Sequence, residues 1–532
     1  MLLVLTSVLS SHGFWAEFRI MNFEFRIMKK YILLILTVVL TLPIQAAKKE
    51  KVQQVDSLGR KIKTGWNFGA LPSVAFDADL GFQGGALANI YYYGDGSQYP
   101  EYIHSLYAEA AYTTKNYGIF RVNYDSKYLI PNHRLTLDAT YQPDAMCDFY
   151  GFNGYQSVYN QDFHKWKKDP AKMGVLEDYQ SRAFYKYKRD LFRFAADIEG
   201  TIWKNIKWNA GLGVLGYMID ECDIDMLNGK KNVYDPATDR YAQKAMDKNV
   251  EGMYEKYVKW GIIDKNEALG GWHPYLRLGL TYDSRDQRTC PTKGIYADAF
   301  FTYTAAFNAK YGQQAAAGYN HLQFNFNFRH YVPVYRDRVT FAYRIGTQNN
   351  IAGKSPFYMN TYLNTLFIQR VMYEGLGGAN SLRGIMRNRI LANGFAYANV
   401  ELRCKVVTFD IGRQHFYIGL APFFDLGIIT QPYELDEKGI KAAYAKDVLE
   451  ATLSTPSEDR PVPPLPLGDY FALDKDGNFD HSRVYMPHMA AGVGLKAAMN
   501  ENFVLSVDWA MAFDKQDNAK WANFYIKMGY LF

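Results

Sequence analysis

An all-β, sixteen-stranded antiparallel transmembrane barrel of the bacterial outer membrane, with long extracellular loops and no periplasmic domain, is the fold expected of this 532-residue chain. Three features point to it. Segments of about ten residues alternate strictly between apolar and polar positions, as strands between lipid and a wet lumen do. A short apolar leader precedes them, and the last segment is an alternating strand that stops on Phe532. Composition agrees: the chain holds 43 Tyr, 34 Phe and 42 Gly, is 48% hydrophobic and only 21% charged, and so is not of a disordered type. Beyond residue 47 it lacks the runs of about 18 or more apolar residues that a helical membrane protein requires. The net charge of +6 is spread along the chain and gives no reason to expect a nucleic-acid partner.

The leader sets the compartment. Met28-Lys29-Lys30 precedes the apolar run YILLILTVVLTLP and then Ile44-Gln45-Ala46-Ala47, the order of charged, apolar and small residues found in a secretory signal peptide. Residues 1–27 read as an extension from an upstream start codon, 28–47 as the signal peptide, 48–64 as a short periplasmic segment and 65–532 as the barrel. A longer charged leader is the alternative for 1–27. A lone membrane anchor is disfavoured by the shortness of the run. The four cysteines, Cys147, Cys222, Cys290 and Cys404, form no CxxC pair and read as free thiols, although Cys147 and Cys222 would pair if their loops met.

Period-two patterning predicts strands over 65–77, 81–94, 103–113, 118–127, 133–142, 181–200, 207–218, 272–283, 295–305, 319–330, 338–348, 393–406, 414–427, 485–497, 501–512 and 521–532. In His321-Leu322-Gln323-Phe324-Asn325-Phe326-Asn327-Phe328-Arg329, Leu and Phe occupy one face and His, Gln, Asn and Arg the other. An even strand number puts both termini at the periplasmic side. The long connections 143–180, 219–271, 349–392 and 428–484 all follow odd-numbered strands and are expected outside the cell; loops of that length would be hard to fit in a compact soluble domain. Phe524, Ile526, Met528, Tyr530 and Phe532 alternate to the last residue and resemble the signal that the outer-membrane assembly machinery selects. In the first strand, Pro72 offers no ladder donor, and Gly65, Gly69 and Gly529 pack little. A weak seam between the first and last strands is therefore expected, with a rim position for Pro72 as the alternative.

Four segments, in order, carry a resemblance. They are Phe149-Tyr150-Gly151-Phe152-Asn153-Gly154; Asp283-Ser284-Arg285-Asp286 with Pro291-Thr292-Lys293-Gly294; Gly377-Gly378-Ala379-Asn380-Ser381-Leu382-Arg383-Gly384; and Phe423-Phe424-Asp425-Leu426-Gly427. Together they resemble the FYGxGN, DxRD…PTKG turn, LRG loop and aromatic-x-acid-x-Gly elements of the BamA/TamA superfamily of outer-membrane assembly and secretion barrels, also called the bacterial surface antigen family. The resemblance spans essentially the whole barrel. It implies a barrel that helps insert or translocate outer-membrane or surface proteins, working with lipids, client outer-membrane proteins or partner lipoproteins, and the assembly machinery. One departure is evident: the family usually carries periplasmic POTRA modules, and residues 48–64 are too few for any folded domain. A passive pore or a structural subunit of a larger complex is thus the alternative.

Physical reasoning supports a role for the loop motif. Arg383, between Leu382 and Gly384, can fold back into the lumen only if acids meet it there, because an unpaired buried guanidinium is costly. By alternation, Glu401 in Tyr397-Ala398-Asn399-Val400-Glu401-Leu402-Arg403 and Asp425 both point inward, on adjacent strands. A solvated Arg383 that never meets them is the bland alternative. His104, His321 and His330 read as isolated lumen or rim residues. Asp474-Lys475-Asp476-Gly477-Asn478-Phe479-Asp480 begins like a calcium loop but has Phe479 at its sixth position and Tyr485 where a Glu would close it, so a solvated loop is expected. With no GxSxG, HExxH, Walker loop or paired catalytic carboxylates, neither enzyme activity nor a metal or cofactor is expected. An outer-membrane hydrolase would need a Ser/His or acidic dyad at the rim.

Overall fold

The computed structural model describes residues 62–532 apart from 100, 162–182, 229–233, 236–239, 242–250, 307–318, 337, 369–373, 412–413, 454–463, 500–502 and 521–522. The expected start extension (1–27), the expected signal peptide (28–47) and residues 48–61 of the expected periplasmic segment lie outside the described residues.

Sixteen antiparallel strands close into one barrel. They are β1 (Trp66–Asp77), β2 (Gly81–Tyr92), β3 (His104–Thr113), β4 (Gly118–Ile130), β5 (His133–Asp148), β6 (Lys186–Trp203), β7 (Ile206–Asp220), β10 (Gly270–Asp283), β11 (Gly294–Thr304), β12 (His321–Tyr335), β13 (Val339–Gly353), β14 (Gly394–Ile411), β15 (Gln414–Gln431), β16 (His488–Met499), β17 (Phe503–Ala512) and β18 (Asn523–Met528). A separate two-stranded ribbon, β8 (Tyr234–Asp235) with β9 (Arg240–Tyr241), lies in the connection after β7. Among the described residues the loops also hold three α-helices, α1 (Ile224–Asn228), α2 (Met253–Lys259) and α3 (Glu437–Leu453).

Alternation produces the barrel's two faces. On β12, His321, Gln323, Asn325, Asn327 and Arg329 are buried in the interior, while Leu322, Phe324, Phe326 and Phe328 face outward. The outer wall is an apolar belt: Leu276, Leu278 and Leu280 on β10 are 50%, 54% and 55% exposed. So much apolar surface in water would cost heavily, whereas lipid covers it at no cost. His330 belongs to this outer wall, against Phe328 and Tyr343, rather than to the lumen. A closed barrel of this kind keeps its hydrogen-bond network in mild detergent. Unheated samples are therefore expected to migrate faster on a gel than boiled ones, and identical mobility would contradict the fold.

Several strands outrun their sequence-based limits at the loop end. β5 continues to Asp148, because Asp144 and Asp148 are buried in ion pairs rather than solvated, whereas β6 begins later than expected, at Lys186. β13 reaches Gly353, so the motif loop spans 354–393. The largest departure is at the chain end. β18 stops at Met528, the backbone turns at Gly529 (φ +86°), and Leu531 and Phe532 are buried inside the barrel. Phe524, Ile526 and Met528 keep the outward phase, but Tyr530 and Phe532 do not continue it.

The interior is filled at the loop end. Inward residues Tyr187, Leu191, Tyr217 and Tyr275 pack with aromatics from four long loops, among them Phe149, Phe152, Tyr254, Tyr257, Phe357, Tyr470 and Phe471. Phe149 sits at the centre, edge-on to Phe152 (5.5 Å), Tyr257 (5.3 Å) and Tyr254 (6.1 Å), the arrangement that ring quadrupoles favour. Above them α2 and α3 are joined where Asp447 accepts from Lys256 Nζ (2.8 Å) and Trp260 Nε1 (3.0 Å).

Candidate functional site: a loop fastened inside the barrel and a two-residue seam

The 354–393 loop descends into the lumen along the inner wall. Arg189 Nη1 donates to Thr361 Oγ1 (2.8 Å), Gln348 Nε2 to Tyr362 O (3.1 Å) and Arg329 Nη2 to Thr365 O (3.2 Å). Asp298 Oδ2 accepts from Phe367 N (2.8 Å). At its top, the buried Glu267 carboxylate accepts from Phe357 N and from Tyr319 Oη. Burial pushes this carboxyl up to about 7.

Arg383 reaches the neighbouring wall, formed by β14 and β15. Its guanidinium is wholly buried and forks onto Asp425, Nε to Oδ2 at 2.9 Å and Nη2 to Oδ1 at 3.0 Å, while Nη1 meets Glu401 Oε1 at 2.6 Å. The Arg383 backbone N–H also donates to Asp425 Oδ2 (2.9 Å). The Phe423 ring lies 3.5 Å from the guanidinium carbon, so one face is held by an aromatic and the rim by two carboxylates. Asp508 adds a third acid at 3.7 Å and is itself paired with Lys496 (2.5 Å). The glycines have steric roles. Gly384 holds φ +91°, which side chains rarely adopt, and a Cβ on Gly427 would lie 2.6 Å from Leu382 Cδ1. Leu382 thus packs on β15 only because position 427 has no side chain.

Leu382, Arg383, Gly384, Glu401 and Asp425 therefore meet in one place. The turn of Asp283, Arg285, Asp286, Pro291 and Gly294 does not join them; it closes the β10–β11 hairpin at the other end of the barrel. There Arg285 forks onto Asp283 (2.8 and 2.9 Å), and Asp286 accepts from Thr292 N (3.1 Å). Asp474 likewise caps its own turn, accepting from Asp476 N (2.9 Å) and Asn478 N (2.8 Å).

Three arginines at this site carry no family motif. Arg387 Nε donates to Asp148 Oδ2 (2.6 Å) and Nη2 to Asp144 Oδ2 (2.7 Å) on β5, with Glu374 at 2.9 Å. Arg389 binds the carbonyls of Gly154 (2.9 Å) and Ser157 (3.0 Å), tying the loop to the Phe149–Gly154 element. Arg403 bridges Glu401 Oε2 (2.9 Å) to the backbone oxygen of Phe532 (2.7 Å) and lies 4.1 Å from the Tyr530 ring. The chain end is thus joined to the loop anchor through Glu401. The spacing of Arg383, Arg387 and Arg389 within SLRGIMRNR is the signal that would have suggested several anchors.

The seam lies beside this site. β1 pairs with β2 along its whole length but, among the described residues, with β18 only at Phe76–Ile526 and Asp77–Tyr525. Tyr93 N donates to Gly65 O, so odd-numbered residues of β1 bond to β2 and even-numbered ones face the seam. Pro72 is even-numbered: the donor it lacks is one the seam edge would have offered.

Fold and site define an outer-membrane β-barrel whose lumen is crossed by one of its own loops. The chain belongs to the Omp85 superfamily, whose domain matches residues 89–532. Among solved structures it is similar to BamA from Haemophilus ducreyi lacking POTRA domains 1–3, with 16% identity and a TM-score of 0.46 over 88% of this chain and 71% of that one. It is also similar to CdiB from Escherichia coli, with 10% identity and a TM-score of 0.48 over 91% and 67%. No curated protein sequence matches it.

Proposed function

We propose that this barrel, exported by the signal peptide over 28–47 and integral to the outer membrane, helps insert or translocate outer-membrane or surface proteins by opening at the β1–β18 seam. The observation that carries this reading is the seam itself. Two paired residues join β1 to β18, whereas residues 66–75 of β1 leave a backbone edge that can accept a strand of a client protein. The lumen packing counts against a passive pore, because the loop and the aromatic cluster occupy the space an ion would cross. Clients would be outer-membrane proteins, with lipoproteins or the assembly machinery as partners.

Cysteines at the registered pair Phe76 and Ile526 test the reading. Locked by a disulfide, the barrel is expected to fold and keep its heat-sensitive mobility while losing client insertion; reduction should restore it. A locked barrel with full activity would rule out the seam. Client proteins recovered with the barrel from detergent-solubilised membranes favour insertion, and ion conductance without clients favours a pore.

A further inference from the structure

We infer that the 374–393 segment is a clasp that holds the seam closed by gripping both of its strands from inside. The inference builds on the seam described above but concerns what keeps it shut, with or without a client. On the β1 side, Asp79, in the turn that ends β1, accepts from Arg387 N (3.0 Å) through Oδ2. On the β18 side, Tyr525 Oη accepts from Gly384 N (3.1 Å), Asn523 Nδ2 donates to Gly384 O (3.4 Å), and Lys527 Nζ donates to Ala379 O (2.8 Å). Both sides of the seam are therefore bonded to the same nine residues, 379–387, and these are fastened to β14 and β15 by Arg383 and to β5 by Arg387.

The comparison of bonds decides the matter. Direct pairing across the seam involves two residues of each strand, whereas three side chains of β18 and one in the turn that ends β1 bond to the clasp. Each is a buried or half-buried bond, and leaving its backbone partner unpaired costs more than the bond contributes. The seam strands are short of partners with each other but well supplied by the loop. Closure is thus set by the loop, and a client that displaces the 379–387 segment frees both edges together.

Amide hydrogen exchange on the full-length protein in detergent, without any client, tests the clasp. The variants are Asp79→Ala, Tyr525→Phe and their combination. Tyr525→Phe keeps the ring and removes only the hydroxyl. The double variant is expected to exchange about tenfold faster in peptides covering 66–77 and 523–528, with each single variant intermediate and β10–β12 unchanged. Adding the Phe76–Ile526 disulfide should abolish the increase. Unchanged exchange in the double variant would overturn the clasp, as would an increase shared equally by β10–β12. If the double variant does not fold, Tyr525→Phe alone decides: faster exchange confined to β18 and β1 supports the clasp, and none refutes it. Failure here would leave the insertion proposal standing, since the locked-seam experiment tests that separately.

Discussion

Arg383→Ala is expected to release the 354–393 loop from the β14–β15 wall, raising its protease sensitivity and the conductance of the barrel while strand content changes little. The wild-type guanidinium is wholly buried, and its removal leaves Glu401 and Asp425 in place. Losing one partner of a buried pair costs about 3–5 kcal/mol, chiefly because the remaining charge is uncompensated. Water reaching the emptied site would lower that figure. Glu401 retains Arg403 at 2.9 Å, so Asp425 bears most of the loss. Arg383→Lys should rescue only partly: an ammonium cannot fork onto Asp425, reach Glu401 and stack on Phe423 at once. Asp425→Asn should resemble Arg383→Ala, and the double variant should be no worse than either. Strictly additive losses in that cycle would mean that the two residues do not act together, and the anchored loop would have to be abandoned.

The parts of this molecule that were legible in the sequence are those set by local periodicity. A strand with lipid on one side alternates, as β12 does from His321 to Arg329, and this sufficed for sixteen strands and for the inward phase of Glu401 and Asp425. Charge was the misleading signal. Asp144 and Asp148 look like loop residues, yet they lie on an extended β5 because the lumen supplies each with a buried partner. The chain end misled in the opposite way. Tyr530 and Phe532 keep the alternating pattern, but Gly529 redirects them into the interior, where Arg403 awaits the terminal residue. Arg387 and Arg389 gave no periodic signal, since they lie in a loop and bind segments brought near only by closure; Arg403 shares the inward phase of Glu401, but its bond to Phe532 was not legible. The loop helices α2 and α3 were missed for a related reason: they are positioned by one shared carboxylate, Asp447.

Arg387→Ala should be as costly as Arg383→Ala but on the other wall. Three acids, Asp144, Asp148 and Glu374, surround this guanidinium at 2.6 to 2.9 Å, and only Asp148 has a second cation, Lys186. Asp144 and Glu374 would be left without an ion-pair partner, with only the Coulombic attraction of the buried Arg189 remaining, at a cost again of about 3–5 kcal/mol before relaxation. The arm of the loop over β5 should therefore lift. Cys147 reports this directly. Its thiol is wholly buried and receives a contact from Asn388 Nδ2 (3.7 Å), the residue after Arg387. In a background where the partly exposed Cys404 is replaced by Ser, maleimide labelling of Cys147 in the native barrel should rise sharply with Arg387→Ala. The same assay on Arg383→Ala separates two modes of release. Equal labelling means the loop leaves both walls as one body, the behaviour a clasp on the seam requires. Labelling confined to Arg387→Ala means the two arms come away independently, and opening the seam would then require both to be displaced.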